Sequence, residues 1–488
     1  MSEWWRSAAF YQIYVRSFAD SDGDGVGDLQ GIRSRLPYLR DLGVDALWLT
    51  PFYPSPQADH GYDVADYCDV DPLFGTLEDF DALLVDAHAL GIRVTVDIVP
   101  NHTSDRHPWF ADRPEYYVWA DEPNNWPSNF GGPAWTLDER RGAHYLHLFA
   151  REQPDLDWHN PAVHDEFDAI LRFWLDRGVD GFRIDVAHAL YKDPELRDEL
   201  EPFPRTAFSS DWRQAVDQPE VHDVYRRWRL LVDAYPGDRM LVGEVVFSEP
   251  RRIAAYVRPD ELHLSFNFPH LFTAWDAGAL RNVIDRTLAS LSEVGATATW
   301  VLENHDVQRL PTRYGSLRAA RAGLLLLLAL PGAAFLYAGQ ELGLGEVDLP
   351  DEARQDPILF RSRGARVGRD GCRVPLPWTR DLGFTTGEPW LPQPPEWGEL
   401  SVEAQQGDPA STLELARAAI AARPRGGDLA WRESPAGTLA FERDGMICLV
   451  NVDGDPLELP EGDLVLASDP AVTATLPPNT SAWLRRTT

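Results

Sequence analysis

Lysine is all but missing from this chain: Lys192 is the single example in 488 residues. Basic side chains number 45 against 77 acidic ones, and the formal charge is −32. A charge of that size and sign repels phosphate backbones and anionic lipid, which argues against nucleic acid or acidic membranes as partners. Cysteine is almost as scarce. Cys68, Cys372 and Cys448 are an odd, widely spaced set that fits neither a disulfide framework nor a thiolate zinc site, so a reducing, cytoplasmic setting is the simpler reading. Long apolar runs are missing too. The longest, 322–338, is broken by Gly323, Pro331 and Gly332 and is too short to span a bilayer. The first ten residues lack the basic-then-apolar pattern of a leader peptide. No HExxH, no GxSxG elbow and no glycine-rich phosphate loop occurs.

What is present is abundant apolar and aromatic material. Apolar residues make up 44% of the chain, with 18 Trp, 15 Tyr and 21 Phe, enough to fill a large core and to exclude global disorder. Short β-type runs alternate with longer amphipathic stretches. We expect strands at 10–15, 46–50, 93–99, 181–186, 240–245, 262–268, 299–303 and 333–337, and helical spacing over 77–90 and 161–177. Eight such strands predict a (β/α)8 TIM barrel, whose buried parallel strands need not alternate in polarity. The rhythm breaks twice. Residues 101–160, rich in Trp, Pro, Asn and Gly, read as a subdomain inserted after strand 3. From 424 to 488 the pattern changes to short strands between turn residues, predicted as a C-terminal antiparallel β-domain. The barrel is then expected over 1–100 and 161–423.

Catalytic groups of such barrels sit at the C-terminal ends of strands, and Asp97, Asp185, Glu244 and Asp306 fall there. One acid in such a place is commonly a helix cap or an arginine partner; four on four strands point to chemistry. Arg183 lies two residues before Asp185, on the same strand face, and is expected to keep that carboxyl ionised, as a nucleophile requires. Glu244 lies between Met240-Leu-Val-Gly and Val245-Val-Phe, an apolar setting that suits a protonated general acid. Such a pair is what retaining glycoside hydrolysis uses.

Four stretches carry a resemblance: Asp97-Ile-Val-Pro-Asn-His102, Gly181-Phe-Arg-Ile-Asp185-Val186, Gly243-Glu244-Val245 and Glu303-Asn-His305-Asp306. In kind, order and position the chain resembles the α-amylase-type glycoside hydrolases, in particular the exo-acting α-glucosidases and oligo-1,6-glucosidases, most closely bacterial maltase-type enzymes. The resemblance implies a nucleophile at Asp185, an acid/base at Glu244 and a third carboxylate, binding ring hydroxyls, at Asp306. Arg183, His102 and His305 would hold the same glucose, with Asp97 in support. It further implies that Asp59 and Tyr62 grip the terminal glucose and that Arg373 pairs with Asp59 to close the pocket. Phe130, Phe149 and Gln153 would line it from the inserted subdomain.

The loop Asp20-Ser-Asp22-Gly-Asp24-Gly-Val26-Gly-Asp28 sets acids at alternate positions around glycines, as a loop wrapping a hard cation does. Its twelfth position is Gly31, so it is not an EF-hand. The similar loop in oligo-1,6-glucosidases implies a structural Ca²⁺ or Mg²⁺ held by Asp20, Asp22, Asp24 and Asp28 with the Val26 carbonyl, and no organic cofactor. The expected activity is release of glucose from the non-reducing end of maltose and short malto-oligosaccharides, with glucosyl transfer as a side reaction, by a monomer or homodimer. Val186 after the nucleophile points the other way, towards isomaltose-type substrates. A sucrose isomerase or trehalose synthase is a further alternative; a non-catalytic relative fits poorly, because all three carboxylates are present.

Overall fold

A computed structural model describes residues 3–200 and 214–486. Eight parallel strands form the central sheet: β1 (Ala9–Ile13), β2 (Ala46–Leu49), β3 (Arg93–Ile98), β7 (Gly181–Ile184), β8 (Met240–Gly243), β9 (Leu264–Ser265), β10 (Thr299–Val301) and β11 (Ala333–Tyr337). Each expected strand is found. They pair in the order β10-β11-β1-β2-β3-β7-β8-β9, a barrel closed everywhere except between β9 and β10. The strand expected at 262–268 is cut to two residues there. A short helix, Phe268–Leu271, spans the gap, and its His270 Nδ1 lies 3.1 Å from the Val301 carbonyl.

Strand periodicity separates two cores. Phe10, Trp48, Val242, Leu264 and Phe335 point inward and fill the barrel, with the Phe10 and Phe335 rings stacked 4.2 Å apart. Their chain neighbours Tyr11, Leu47, Leu241 and Leu336 point outward and pack under the surrounding helices. The inward parity holds in the register of β3 and β7, where Asp97 faces Arg183, so the two side chains enter the barrel side by side.

The helices are set by ordinary terminal signals. Leu77–Ala89 begins with a capping box between Thr76 and Asp79, and Pro161–Arg177 runs from an Asn160 cap to Gly178 in the left-handed region. After β3 comes a three-stranded antiparallel sheet of β4 (Trp119–Ala120), β5 (Trp135–Asp138) and β6 (Ala143–Leu146). Its Trp135, Leu146 and neighbouring Leu148 pack against Val186 and Ala189 beyond β7, so this insertion becomes a wall over the barrel mouth.

The final sheet contains β12 (Ala430–Trp431), β13 (Thr438–Arg443), β14 (Met446–Asn451), β16 (Asp463–Ala467) and β18 (Thr480–Arg485), with a ribbon of β15 (Leu457–Glu458) and β17 (Thr475–Leu476) beside it. It sits against the apolar helix Leu317–Ala329. Arg443 pins the contact, its Nη1 donating to the carbonyls of Ala329, Leu330 and Pro424.

Candidate active site

Two guanidiniums, one buried and one largely so, organise the mouth of the barrel. Arg183, on β7, gives Nη1 to Asp97 Oδ1 (3.0 Å) and Asp185 Oδ1 (2.6 Å), while its Nη2 lies 2.8 Å from Glu244 Oε2. Asp97 also accepts from Trp48 Nε1 (3.1 Å) and the Tyr62 hydroxyl (3.0 Å). Arg369, after β11, gives Nη2 to Asp59 (2.7 Å), Nη1 to Asp306 (3.1 Å) and Nε to Asp356 (2.8 Å). Six carboxyls thus gather around two arginines.

The expected contact of Arg183 with Asp185 is present, but it is shared. Arg183 was to hold Asp185 ionised, but that single positive charge is divided among three carboxyls. Burial pushes the Asp185 carboxyl well above its ordinary value; Arg183 pulls it back down, while the nearby Glu244 and Asp97 charges push it up. Burial likewise raises Asp97, to about 6, against the pull of Arg183. One cation among three buried acids disfavours ionising all three at once. Nor is the Glu244 carboxyl in an apolar setting: it lies against Arg183 and accepts the Val186 N–H (3.0 Å).

That N–H is aimed by an unusual backbone. Val186 has φ +44°, a left-handed conformation that is strained for a β-branched residue. The turn directs its amide to the Glu244 side chain, and the Ala187 amide to the Glu244 carbonyl at 3.0 Å.

Asp306 is the contrast. Burial alone would raise its carboxyl, yet His305, Arg369 and Arg373 together hold it well below the usual carboxylate range. His305 is the largest of these influences, followed by Arg369 and Arg373, and burial pushes His305 itself well down. The His305 ring stacks between Tyr14 (5.5 Å) and Tyr62 (5.3 Å) and is fixed by Gln12 at Nδ1 (2.6 Å). His102 is also buried, which lowers it to about 4 and leaves it neutral.

Asp59, Tyr62, His102, Phe130, Phe149, Asp185, Glu244, His305 and Asp306 all line one pocket. Two expected contacts are different. Arg373 does not pair with Asp59: it is fully buried behind the pocket, with Nη2 on Asp306 (2.8 Å) and Nε on the His305 carbonyl (2.8 Å). The partner of Asp59 is Arg369, four residues earlier and one helical turn away. Gln153 is buried behind the lining, its Nε2 within 3.2 Å of Asp59 and 3.1 Å of His102. Arg369 and Asp356 were missed by sequence reasoning. The signal for Arg369 was at hand, a second arginine in Arg369-Asp-Gly-Cys-Arg373, but one-dimensional spacing does not say which one reaches forward.

In the acidic loop, carboxylate oxygens of Asp20, Asp22 and Asp28 lie within 4.8 Å of one another, close enough to share one cation. Asp24 stands outside this group and accepts the Val26 N–H instead (2.8 Å). Gly25, at φ +94°, donates its N–H to Asp20 (2.9 Å), and a Cβ there would meet the Glu388 carbonyl at 2.0 Å.

A pocket at the C-terminal end of a (β/α)8 barrel, floored by paired carboxyls and lined, among the described residues, by no Ser or Cys, defines a glycoside hydrolase. The model of the alpha-amylase catalytic domain matches residues 12–430. A probable alpha-glucosidase of Rhizobium meliloti (strain 1021) is 41% identical over 93% of this chain and 90% of its own. An oligo-1,6-glucosidase of Parageobacillus thermoglucosidasius is 37% identical over 86% and 83%. The solved structure of an alpha-glucosyl transfer enzyme superposes with a TM-score of 0.91 at 39% identity, covering 99% of this chain and all of the other. The chain belongs to the α-amylase catalytic-domain family.

Proposed function

We propose that the protein is a retaining, exo-acting α-glucosidase that frees glucose from the non-reducing end of maltose and short malto-oligosaccharides. The observation that carries this reading is the Arg183 bridge: two carboxyls on the terminal nitrogens of one guanidinium are near neighbours, as the roughly 5–5.5 Å spacing of a retaining pair requires. Asp185 attacks the anomeric carbon while Glu244 gives a proton to the departing oxygen. Glu244 then takes a proton from water, whose oxygen releases the sugar from Asp185. Asp306, held ionised, accepts from ring hydroxyls and opposes the positive charge that develops on the sugar. Asp59 and Arg369 close the pocket beyond the terminal glucose, which supports exo action.

Glucose release from maltose, isomaltose, sucrose and trehalose tests this, with the anomer of the product read by NMR. Maltose is expected to be preferred, and Asp185→Asn and Glu244→Gln each to lose at least about 10³-fold in kcat. A β-product or an unimpaired Asp185→Asn enzyme overturns it. Val186 in the pocket wall favours isomaltose as the second reading, and faster glucose release from isomaltose would select it. A structural Ca²⁺ or Mg²⁺ held by Asp20, Asp22 and Asp28 belongs to the same reading, supported by the closeness of those oxygens. The three thiols, all unpaired, support a reducing cytoplasmic setting.

A further inference from the structure

Arg369 meets the closed end of the pocket through two single contacts, Nη2 on Asp59 Oδ1 (2.7 Å) and Nη1 on Asp306 Oδ1 (3.1 Å). Neither fixes the plane of the guanidinium, because each bond can pivot about its own oxygen. The third partner does fix it. Asp356 takes the opposite edge with both oxygens, Oδ2 on Nε (2.8 Å) and Oδ1 on Nη2 (3.0 Å), a two-point pair that sets orientation as well as distance. The Phe130 ring, 5.0 Å from the guanidinium carbon, covers one face. Asp356 is in turn held by backbone. Its Oδ1 accepts the Ile358 N–H (2.9 Å) as cap of the helix Pro357–Arg361, its Oδ2 accepts the Arg369 N–H, and its own N–H goes to Asp370 Oδ2 (3.0 Å). The carboxylate is wholly buried and lies outside the pocket lining, so it touches no sugar. Burial alone would raise it, yet Arg369 and then Arg373 hold it well below the usual carboxylate range, and it stays charged.

We propose that Asp356 is the positioning residue for the closed end of the pocket: it sets the plane of Arg369 and, through Arg369, the placement of Asp59 and Asp306 against the terminal glucose. The inference rests on the exo-acting reading above. An uncharged isostere cannot do the same. In Asp356→Asn the side-chain amide N–H₂ faces either the Ile358 N–H or the Arg369 N–H groups, so donor meets donor and the fork loses one arm. The guanidinium then turns about its remaining contacts and draws Asp59 and Asp306 with it. A misplacement of about 1 Å in groups that position a substrate can cost on the order of 10²-fold in rate.

The test is a double-mutant cycle on maltose hydrolysis, with inhibition by free glucose measured alongside. Asp356→Asn is expected to raise the maltose KM and the glucose inhibition constant together, each at least about tenfold, as fits the loss of one charge-assisted hydrogen bond. The same substitution is then made in two backgrounds, Arg369→Met and Arg369→Gln, so that one unstable variant does not end the test. There it is expected to add no further loss, and to recover part of the first one, because the side chain through which it acts is gone and a buried unpaired charge is removed. An equal loss with and without Arg369 would make Asp356 a helix cap and nothing more, and would overturn the proposal. So would an Asp356→Asn enzyme with the wild-type KM and glucose inhibition constant. Failure of the underlying reading looks different: wild type would release no glucose from any of the four disaccharides.

Discussion

At the scale of single residues, the site is governed by how few cations serve how many acids. Arg183 and Arg369 each hold three carboxyls, so neither arginine can be assigned to one partner from spacing alone. The strand period did reveal that Arg183 and Asp185 share a face. It could not reveal Asp97 across the ladder or Glu244 from the next strand, which share the same guanidinium. Glu303 carries a related consequence. Burial pushes its carboxyl from 4.5 up to about 7, although Arg309 and the Leu310 N–H pull it down. Between those two values the native state binds more proton than the unfolded chain, so stability falls as pH rises through the window and the loss is complete above it. Glu303→Gln is expected to remove this fall, worth on the order of 3 kcal/mol. Urea unfolding of both proteins at pH 5 and pH 8 measures it; equal slopes with pH would show that Glu303 is not the titrating group.

At the scale of elements, strands and helices were the most legible part of the chain. Pro161–Arg177 was expected at its observed bounds from helical spacing, and Asn160, Pro161 and Gly178 mark its ends in the structure. The error at 262–268 has a topological cause: β sequence alone does not say that β9 lies at an open edge, where only two residues find a partner. The acidic loop shows the reverse. Its alternating aspartates were plain in the sequence, but Asp24 turns to the Val26 amide while Asp20, Asp22 and Asp28 converge. If those three hold a divalent cation, Ca²⁺ added to chelator-treated protein raises Tm by several degrees. Asp22→Asn is expected to abolish that rise while leaving the metal-free Tm unchanged, since the exposed Asp22 carboxylate fixes only the Asp24 N–H (3.1 Å). Differential scanning calorimetry with and without Ca²⁺ decides.

At the scale of the whole molecule, the terminal sheet and the barrel behave as one body. Arg443 satisfies two carbonyls across their junction, those of Ala329 and Leu330, and that of Pro424 on its own side, and Arg321 donates from the Leu317–Ala329 helix to the Ser468 carbonyl (2.7 Å). Arg443→Ala strands those carbonyls in a buried place and is expected to cost about 1–3 kcal/mol. A single, lowered thermal transition would fit this account, whereas two separate transitions would mean that the domains unfold independently. Sequence composition had marked a change of architecture near this point but held no sign of the arginine that fastens the two parts.

The opening between β9 and β10 also sets the order in which the barrel comes apart. Every other strand is held by ladders on both sides, so freeing it means breaking two rows of backbone hydrogen bonds. Strands β9 and β10 each have one row, supplemented across the gap by the contact of His270 with the Val301 carbonyl. Their amides are the first of the barrel to exchange with deuterated water, and the ring of strands unzips from this seam in both directions. Asp185 and Glu244, just beyond β7 and β8, stand two and one strands from it, while β2 and β3, on the far side of the ring, are the last to let go.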